Sequence, residues 1–363
     1  MALTDQTLEA YLSDVLGAPV RVLRLSRLDH ISAKAPTEVK GYGYGVPIRV
    51  EFQREGGMPR SAVLHTITPG PFGHEHMADR AQELLWEHRA FNRLPRHVRS
   101  LDVGGIRSAG RLVALGDVEE FCLLTEYVDG ESYANDLERL LATGDLGELD
   151  VARAAALCDY LVQIHSVRGA DPGLYVRRIR ELIGHGECIM GLVDNYPPHA
   201  IVTAAVLEDI ERRCLKWRWR LKGLTHRLVQ VHGDFHPWNI LFREGVDFQV
   251  LDRSRGEFGD AADDVACLTM NYVFFSLQRS GRLEGCFETL FRGFWDRYLE
   301  RSGDHEMLRV IAPFLVFRCV VMAHPVWYPD LAEGVRKKLM AFSPSVLERD
   351  DFSPSQVNAY CGA

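Results

Sequence analysis

His232-Gly233-Asp234-Phe235-His236-Pro237-Trp238-Asn239 is followed ten residues later by Gln249-Val250-Leu251-Asp252. Asp234 and Asn239 stand five positions apart, and Asp252 lies eighteen beyond Asp234. Between them come an apolar run, Ile240-Leu241-Phe242, a turn from Arg243 to Asp247 broken by Glu244-Gly245, and a second run from Phe248 to Leu251. The pattern predicts a hairpin whose two ends meet. Asp234 then sits in a loop just before the first strand, and Asp252 just after the second. That brings Asn239 and Asp252 together as hard oxygen ligands for Mg2+, an ion held by few protein groups plus substrate phosphates. Asp234 is left free to accept a proton from an attacking hydroxyl.

The stretch, H-G-D-x-H-x-x-N with a later apolar pair and Asp, resembles the aminoglycoside phosphotransferase and choline kinase superfamily. The interval from Asp234 to Asn239 equals that between base and amide in the kinase loop H-R-D-x-x-x-x-N. Gly259-Asp260-Ala261-Ala262-Asp263-Asp264-Val265-Ala266 is close to the family's G-D-P-x-x-D-L-A, and Thr125 to Ser132 resembles its hinge. The resemblance covers roughly residues 20–330 and is tight at 125–130, 232–241, 252 and 259–266. It implies an α+β, two-lobed protein-kinase-like fold. Residues 1–127 would form an N-terminal antiparallel sheet lobe, and 128–363 a mainly helical C-terminal lobe. It further implies ATP and Mg2+ as cofactors, and transfer of the γ-phosphoryl group to a hydroxyl of a small molecule. The backbone around Thr125 and Tyr127 would bond the adenine edge, and Asp264 would cap a helix and brace the catalytic loop.

Toward the N-terminus, residues 3–16 have helical spacing with Thr4 as cap and Gly17 as stop, and Val20 to Leu25 reads as a strand. Lys40-Gly41-Tyr42-Gly43-Tyr44-Gly45 precedes a second strand, Ile48 to Phe52. Alternating glycines there let backbone N–H groups approach a phosphate, so Gly41, Gly43 and Gly45 are candidate phosphate contacts. Ser61 to Ile67 reads as the third strand. The family's strand ends in V-x-K, and here His65 occupies the lysine's place. Three readings stay open. Lys40 or Lys34 reaches the phosphates instead, which is the favoured one; His65 serves directly; or the protein binds nucleotide without turnover, as a regulatory pseudokinase. Met77 to Leu94 predicts a helix on which Glu87 matches the family's lysine-pairing glutamate, with Glu83 one turn away. A Glu87–His65 pair would restore a cation. His74-Glu75-His76 lacks the spacing of a two-histidine metal site.

Leu112 to Leu115 and Phe121 to Leu124 read as the last strands of the small lobe, and helices dominate thereafter. Val151 to His165 is an amphipathic helix with His165 as a core brace, residues 175–199 read as irregular, and Thr203 to Leu221 as a helix with a basic, solvated end. Residues 268–277, 287–299, 307–323 and 330–342 read as the helices of the C-terminal lobe. Arg253 and Arg255, after Asp252, either steady phosphate oxygens, pair with an anionic substrate, or balance Asp260, Asp263 and Asp264.

The chain has 363 residues, 47% of them hydrophobic, and a net charge of −8, so no global basic footprint marks a nucleic-acid partner. The most apolar run, Ile311 to Ala323, spans 13 residues and contains Arg318, which predicts a buried helix and no membrane span. Eight cysteines without C-x-x-C pairing and a polar start predict reduced thiols in a cytoplasmic protein. No D-F-G or A-P-E segment supports a protein kinase. The expected partners are a nucleotide and a small-molecule hydroxyl substrate whose identity the motif leaves open among aminoglycosides, sugars, amino alcohols and nucleosides.

Overall fold

Thr4 opens the first helix, α1 (Asp5–Leu16): its hydroxyl accepts from Thr7 N, and Thr7 in turn bonds back to Thr4. Gly17 closes it at φ 62°, the left-handed conformation glycine adopts without a Cβ clash. The helix buries Leu8, Tyr11 and Leu12 against an antiparallel sheet of β1 (Val20–Arg27), β2 (Ile48–Arg54) and β3 (Arg60–Leu64), in that order. Alternation turns Val20, Val22, Val50 and Phe52 inward. A helix, α2 (Met77–Phe91), and a hairpin, β4 (Gly104–Ile106) with β5 (Leu112–Ala114), follow. Gly104 lies against the Tyr11 ring, where a Cβ would stand 2.7 Å from the phenol oxygen. That phenol donates to Asp102 in a short hydrogen bond. The computed structural model describes residues 4–28, 47–70, 73–108 and 110–362. It divides into two compact units, Met1–Thr125 and Glu126–Ala363.

Two expectations for the first unit change. The third strand stops at Leu64, so His65 follows it rather than lying within it. Phe121 to Leu124 forms no strand. Strand β5 is three residues long and pairs with β4, and no ladder partner reaches 121–124 among the described residues. Leu123 and Leu124 are 89% and 96% exposed. An extended segment without a neighbour cannot satisfy its backbone as a strand does.

The second unit begins with β6 (Glu131–Ser132), α3 (Tyr133–Thr143) and α4 (Glu148–His165). Residues 175–199, expected to be irregular, instead contain most of α5 (Pro172–Gly184) and all of α6 (Ile189–Asp194). Asp171 caps α5 through Gly173 N, Pro172 sits at its start, and Tyr175, Ile179, Leu182 and Ile183 form its buried stripe. Next come α7 (Ala204–Leu221) and four short strands, β7 (Leu228–Gln230), β8 (Ile240–Phe242), β9 (Phe248–Val250) and β10 (Phe258–Asp260). Strand β10 pairs with β7, while β6, β8 and β9 form an antiparallel sheet in that order.

Helix α8 (Ala261–Ser280) runs through the core of this unit, buried on nearly every side from Ala261 to Leu277. It packs on α3, on α9 (Gly285–Ser302) and, after α10 (Met307–Val310), on α11 (Ala312–Ala323). Helices α12 (Glu333–Leu347) and α13 (Val357–Tyr360) complete the chain. The architecture is α+β: a small antiparallel sheet unit followed by a mainly helical one. Among the described residues no helix is long and apolar enough to cross a membrane.

Candidate active site

The β8–β9 hairpin pairs Ile240 with Val250 and Phe242 with Phe248, and Arg243 N closes the turn on Asp247 O at 2.9 Å. One further bond, Leu251 N to Asn239 O at 2.8 Å, carries the pairing past the strand ends. Asn239 and Asp252 therefore lie at the same end of the hairpin. Asp252 adopts φ 54°, left-handed backbone uncommon outside glycine, and its Oδ1 accepts Ser254 N at 3.1 Å. Asn239 Nδ2 donates to Asp234 O at 3.1 Å, which commits the amide nitrogen and leaves Oδ1 as its lone-pair oxygen. An amide oxygen and an exposed carboxylate are a hard donor pair that suits a divalent cation sharing its remaining ligands with phosphates.

The loop carrying Asp234 is braced from behind. Asp264, inside the first turn of α8, accepts His232 N at 2.8 Å and Gly233 N at 2.7 Å. His165 Nε2 donates to the same carboxylate at 3.1 Å, and the Tyr298 hydroxyl donates to His165 Nδ1 at 2.8 Å. The helix cap is Asp260, whose carboxylate accepts Ala262 N as well as Arg227 and Tyr175. Asp264 thus braces the loop but does not cap α8, because the helix starts one turn earlier than the motif suggests. His232 is a brace too: Nε2 donates to Leu251 O at 2.8 Å while Nδ1 accepts Asp234 N at 3.3 Å, tying the loop to the end of β9. Gly233, at φ 91°, has Arg255 Cβ 3.1 Å from where its own Cβ would stand.

Asp234 faces two guanidiniums and an imidazole. Arg318 Nη1 donates to its Oδ1 at 2.6 Å, Arg255 Nη2 lies 3.9 Å from the same oxygen, and His236 Nε2 lies 3.7 Å from Oδ2. Burial opposes ionisation, but the two guanidiniums and His236 outweigh it and pull the carboxyl down to about 2. His236 is held below the ordinary imidazole range, chiefly by its own burial. Arg253 is committed elsewhere, its guanidinium bonded to the carbonyls of Val231 and Glu257. Arg318 and its second partner Asp263 (2.7 Å) are not singled out as site residues by the motif. The available signal is a lone charge in the apolar helix α11: a buried arginine needs a buried anion.

In the first unit His65 Nε2 lies 3.3 Å from Glu87 Oε2, with both side chains partly exposed. Glu83 makes a short bond with His74. Lys34, Lys40, Gly41, Gly43 and Gly45 lie outside the described residues. Thr125 and Tyr127 are exposed, the Tyr127 side chain markedly so at 87%, and neither belongs to a strand.

A braced acidic loop before a short hairpin ending in an amide and a carboxylate is the arrangement phosphotransferases use. Residues 74–300 match the phosphotransferase enzyme family (APH), and the chain belongs to it. Among solved structures it is similar to a glucosamine kinase in complex with glucosamine, ADP and inorganic phosphate, at 21% identity over 60% of each chain and a TM-score of 0.42. It is also similar to the amicoumacin kinase hAmiN in complex with AMP-PNP, Ca2+ and Ami (13% identity, 88% of this chain and 90% of that one, TM-score 0.40). A third is the Plasmodium vivax ethanolamine kinase (12% identity, 89% and 79%, TM-score 0.35). The chain spans about 60% of the length of the first glucosamine kinase structures it matches. No curated protein matches it.

Proposed function

We propose that the protein is an ATP-dependent phosphotransferase that moves the γ-phosphoryl group to a hydroxyl of a small molecule. The observation that carries the reading is the Asp234 carboxylate, oriented by Arg318 on a braced loop whose Asn239 stands beside Asp252 at the hairpin's end. Asp234 orients the acceptor hydroxyl and takes its proton. Asn239 Oδ1 and the Asp252 carboxylate would hold Mg2+, which when bound neutralises charge on the phosphates. Positioning and charge neutralisation supply most of the rate in such transfers. Residues 1–127 would carry the phosphate loop (Gly41, Gly43, Gly45 and Lys40) with His65 and Glu87, Thr125 and Tyr127 the adenine contacts, and 128–363 the acceptor site. All eight cysteines are free thiols, consistent with a reducing, cytoplasmic setting.

The test is transfer of labelled γ-phosphate from Mg·ATP to a panel of sugars, amino alcohols, nucleosides and aminoglycosides, with Asp234→Asn as control. Asp234-dependent labelling of one acceptor class is expected. A second reading, a nucleotide-binding regulatory protein without turnover, is favoured by His65 standing where the family has lysine. ATP binding with Mg2+ and no labelled acceptor in the panel would support it.

A further inference from the structure

The two oxygens of Asp234 have unequal surroundings. Oδ1 takes Arg318 Nη1 at 2.6 Å, has Cys267 Sγ at 3.8 Å, and faces Arg255 Nη2 at 3.9 Å. Among the described residues Oδ2 faces His236 Nε2 at 3.7 Å, outside hydrogen-bond reach. Arg318 is itself fixed. Its Nη2 donates to Asp263 Oδ1 at 2.7 Å and approaches Gly233 O at 3.5 Å, and its guanidinium lies 4.6 Å from the centre of the Phe317 ring. Its side chain is 6% exposed, the single charged residue of α11. Helix α8 thus supports the loop twice: Asp264 holds its backbone, and Asp263, through Arg318, holds the Asp234 side chain.

We propose that Arg318 is a positioning residue: by tying Oδ1 of Asp234 to α8 and α11, it leaves Oδ2 as the oxygen that meets the acceptor hydroxyl. The inference rests on the phosphotransferase reading above. In the step, the acceptor O–H bond breaks and its proton passes to Oδ2 of Asp234. The acceptor oxygen bonds to the γ-phosphorus of ATP as the bond from that phosphorus to the β,γ-bridging oxygen breaks, and ADP leaves with the electron pair. A carboxylate held by neither oxygen would rotate about Cβ–Cγ, and one held by both would offer the hydroxyl an oxygen already sharing its charge with another donor. Arginine suits the task because its planar fork reaches two carboxylates at once, which a lysine ammonium on a flexible stem does not reproduce.

The experiment compares Arg318→Lys and the double variant Arg318→Met/Asp263→Asn with wild type; the change at Asp263 avoids stranding its buried charge without Arg318. Phosphate release from Mg·ATP with water as acceptor, and transfer to glucosamine, give kcat and the KM for ATP. The expected result is a fall in kcat of about 100-fold in both variants, with the KM for ATP changed less than about twofold. A double variant that folds and keeps wild-type kcat overturns the proposal, as does a kcat loss matched by an equal rise in KM. If wild type itself turns nothing over, the phosphotransferase reading fails first, and the crystal structure of the double variant decides the positioning claim. An Asp234 carboxylate that turns or splits between conformers upholds it, and one that keeps its wild-type torsion overturns it.

Discussion

Asp264 on α8 and His165 at the end of α4 meet at 3.1 Å, Oδ2 to Nε2, both side chains almost wholly buried. The pair anchors the loop because the same carboxylate also takes two consecutive backbone N–H groups, those of His232 and Gly233. Burial disfavours its charge, and the hydrogen bond from His165 with those from the backbone more than offsets that. Asp264→Ala leaves three buried donors unpaired, His165 Nε2 and the backbone N–H groups of His232 and Gly233, at about 1–3 kcal/mol each, so a loss of about 3 kcal/mol or more is expected by urea unfolding. A loss below about 1 kcal/mol would mean that water replaces the carboxylate.

Stability should also fall in acid. Asp260 is buried, which raises the carboxyl's tendency to stay protonated, but Arg227, with Ala262 N and Tyr175, depresses its folded value below the usual range. A carboxyl whose folded pKa lies below its unfolded value, about 3.9, contributes stability that is fully present above that value. The contribution is lost as pH falls through the folded pKa. Asp264 acts in the same direction. The guanidinium midpoint should hold near neutral pH and drop below about pH 4. Asp260→Asn should lower the neutral midpoint and flatten that acid slope; an unchanged slope would assign the acid sensitivity to other groups.

His65→Lys tests where the phosphate cation comes from. His65 already lies against Glu87, so a lysine there would meet the partner that the family pairs with it. A charge-assisted bond to phosphate contributes about 1.5–3 kcal/mol, so kcat/KM for ATP should rise about tenfold or more. No change in ATP kinetics would assign the role to another cation, with Lys40→Ala the next variant to measure.

How far the sequence could be read depended on distance along the chain. The β8–β9 hairpin follows from its own turn residues and short apolar runs, so its ends and the placing of Asn239 beside Asp252 were legible. The His65–Glu87 contact follows from a strand and the next helix. Arg318 was not, because the contact that gives it meaning lies 84 residues back, at Asp234. Helix α5 was obscured by Gly184, Gly186 and the Pro197-Pro198 pair, although Asp171-Pro172 and the Tyr175–Ile179–Leu182 spacing mark it. Phe121 to Leu124 has strand composition, but composition cannot supply the neighbour a strand needs.

Asp252 offers a test that separates chemistry from folding. At φ 54° it occupies a conformation that costs an L-residue roughly 1 kcal/mol or more, less for Asp and Asn, whose short polar side chains bond locally. Asp252→Asn keeps that tolerance and the side-chain oxygen that accepts Ser254 N, but removes the negative charge a divalent cation needs. Thermal unfolding should therefore match wild type while Mg2+-dependent transfer falls by about two orders of magnitude or more. Asp252→Gly should also lose transfer, yet unfold close to the wild-type temperature, because relief of the left-handed strain offsets the lost bond to Ser254 N and glycine's greater freedom in the unfolded chain. EDTA should abolish wild-type transfer and leave the residual rate of either variant unchanged. Full activity in Asp252→Asn would remove Asp252 from the metal site, and with it the cation-binding half of the proposed mechanism.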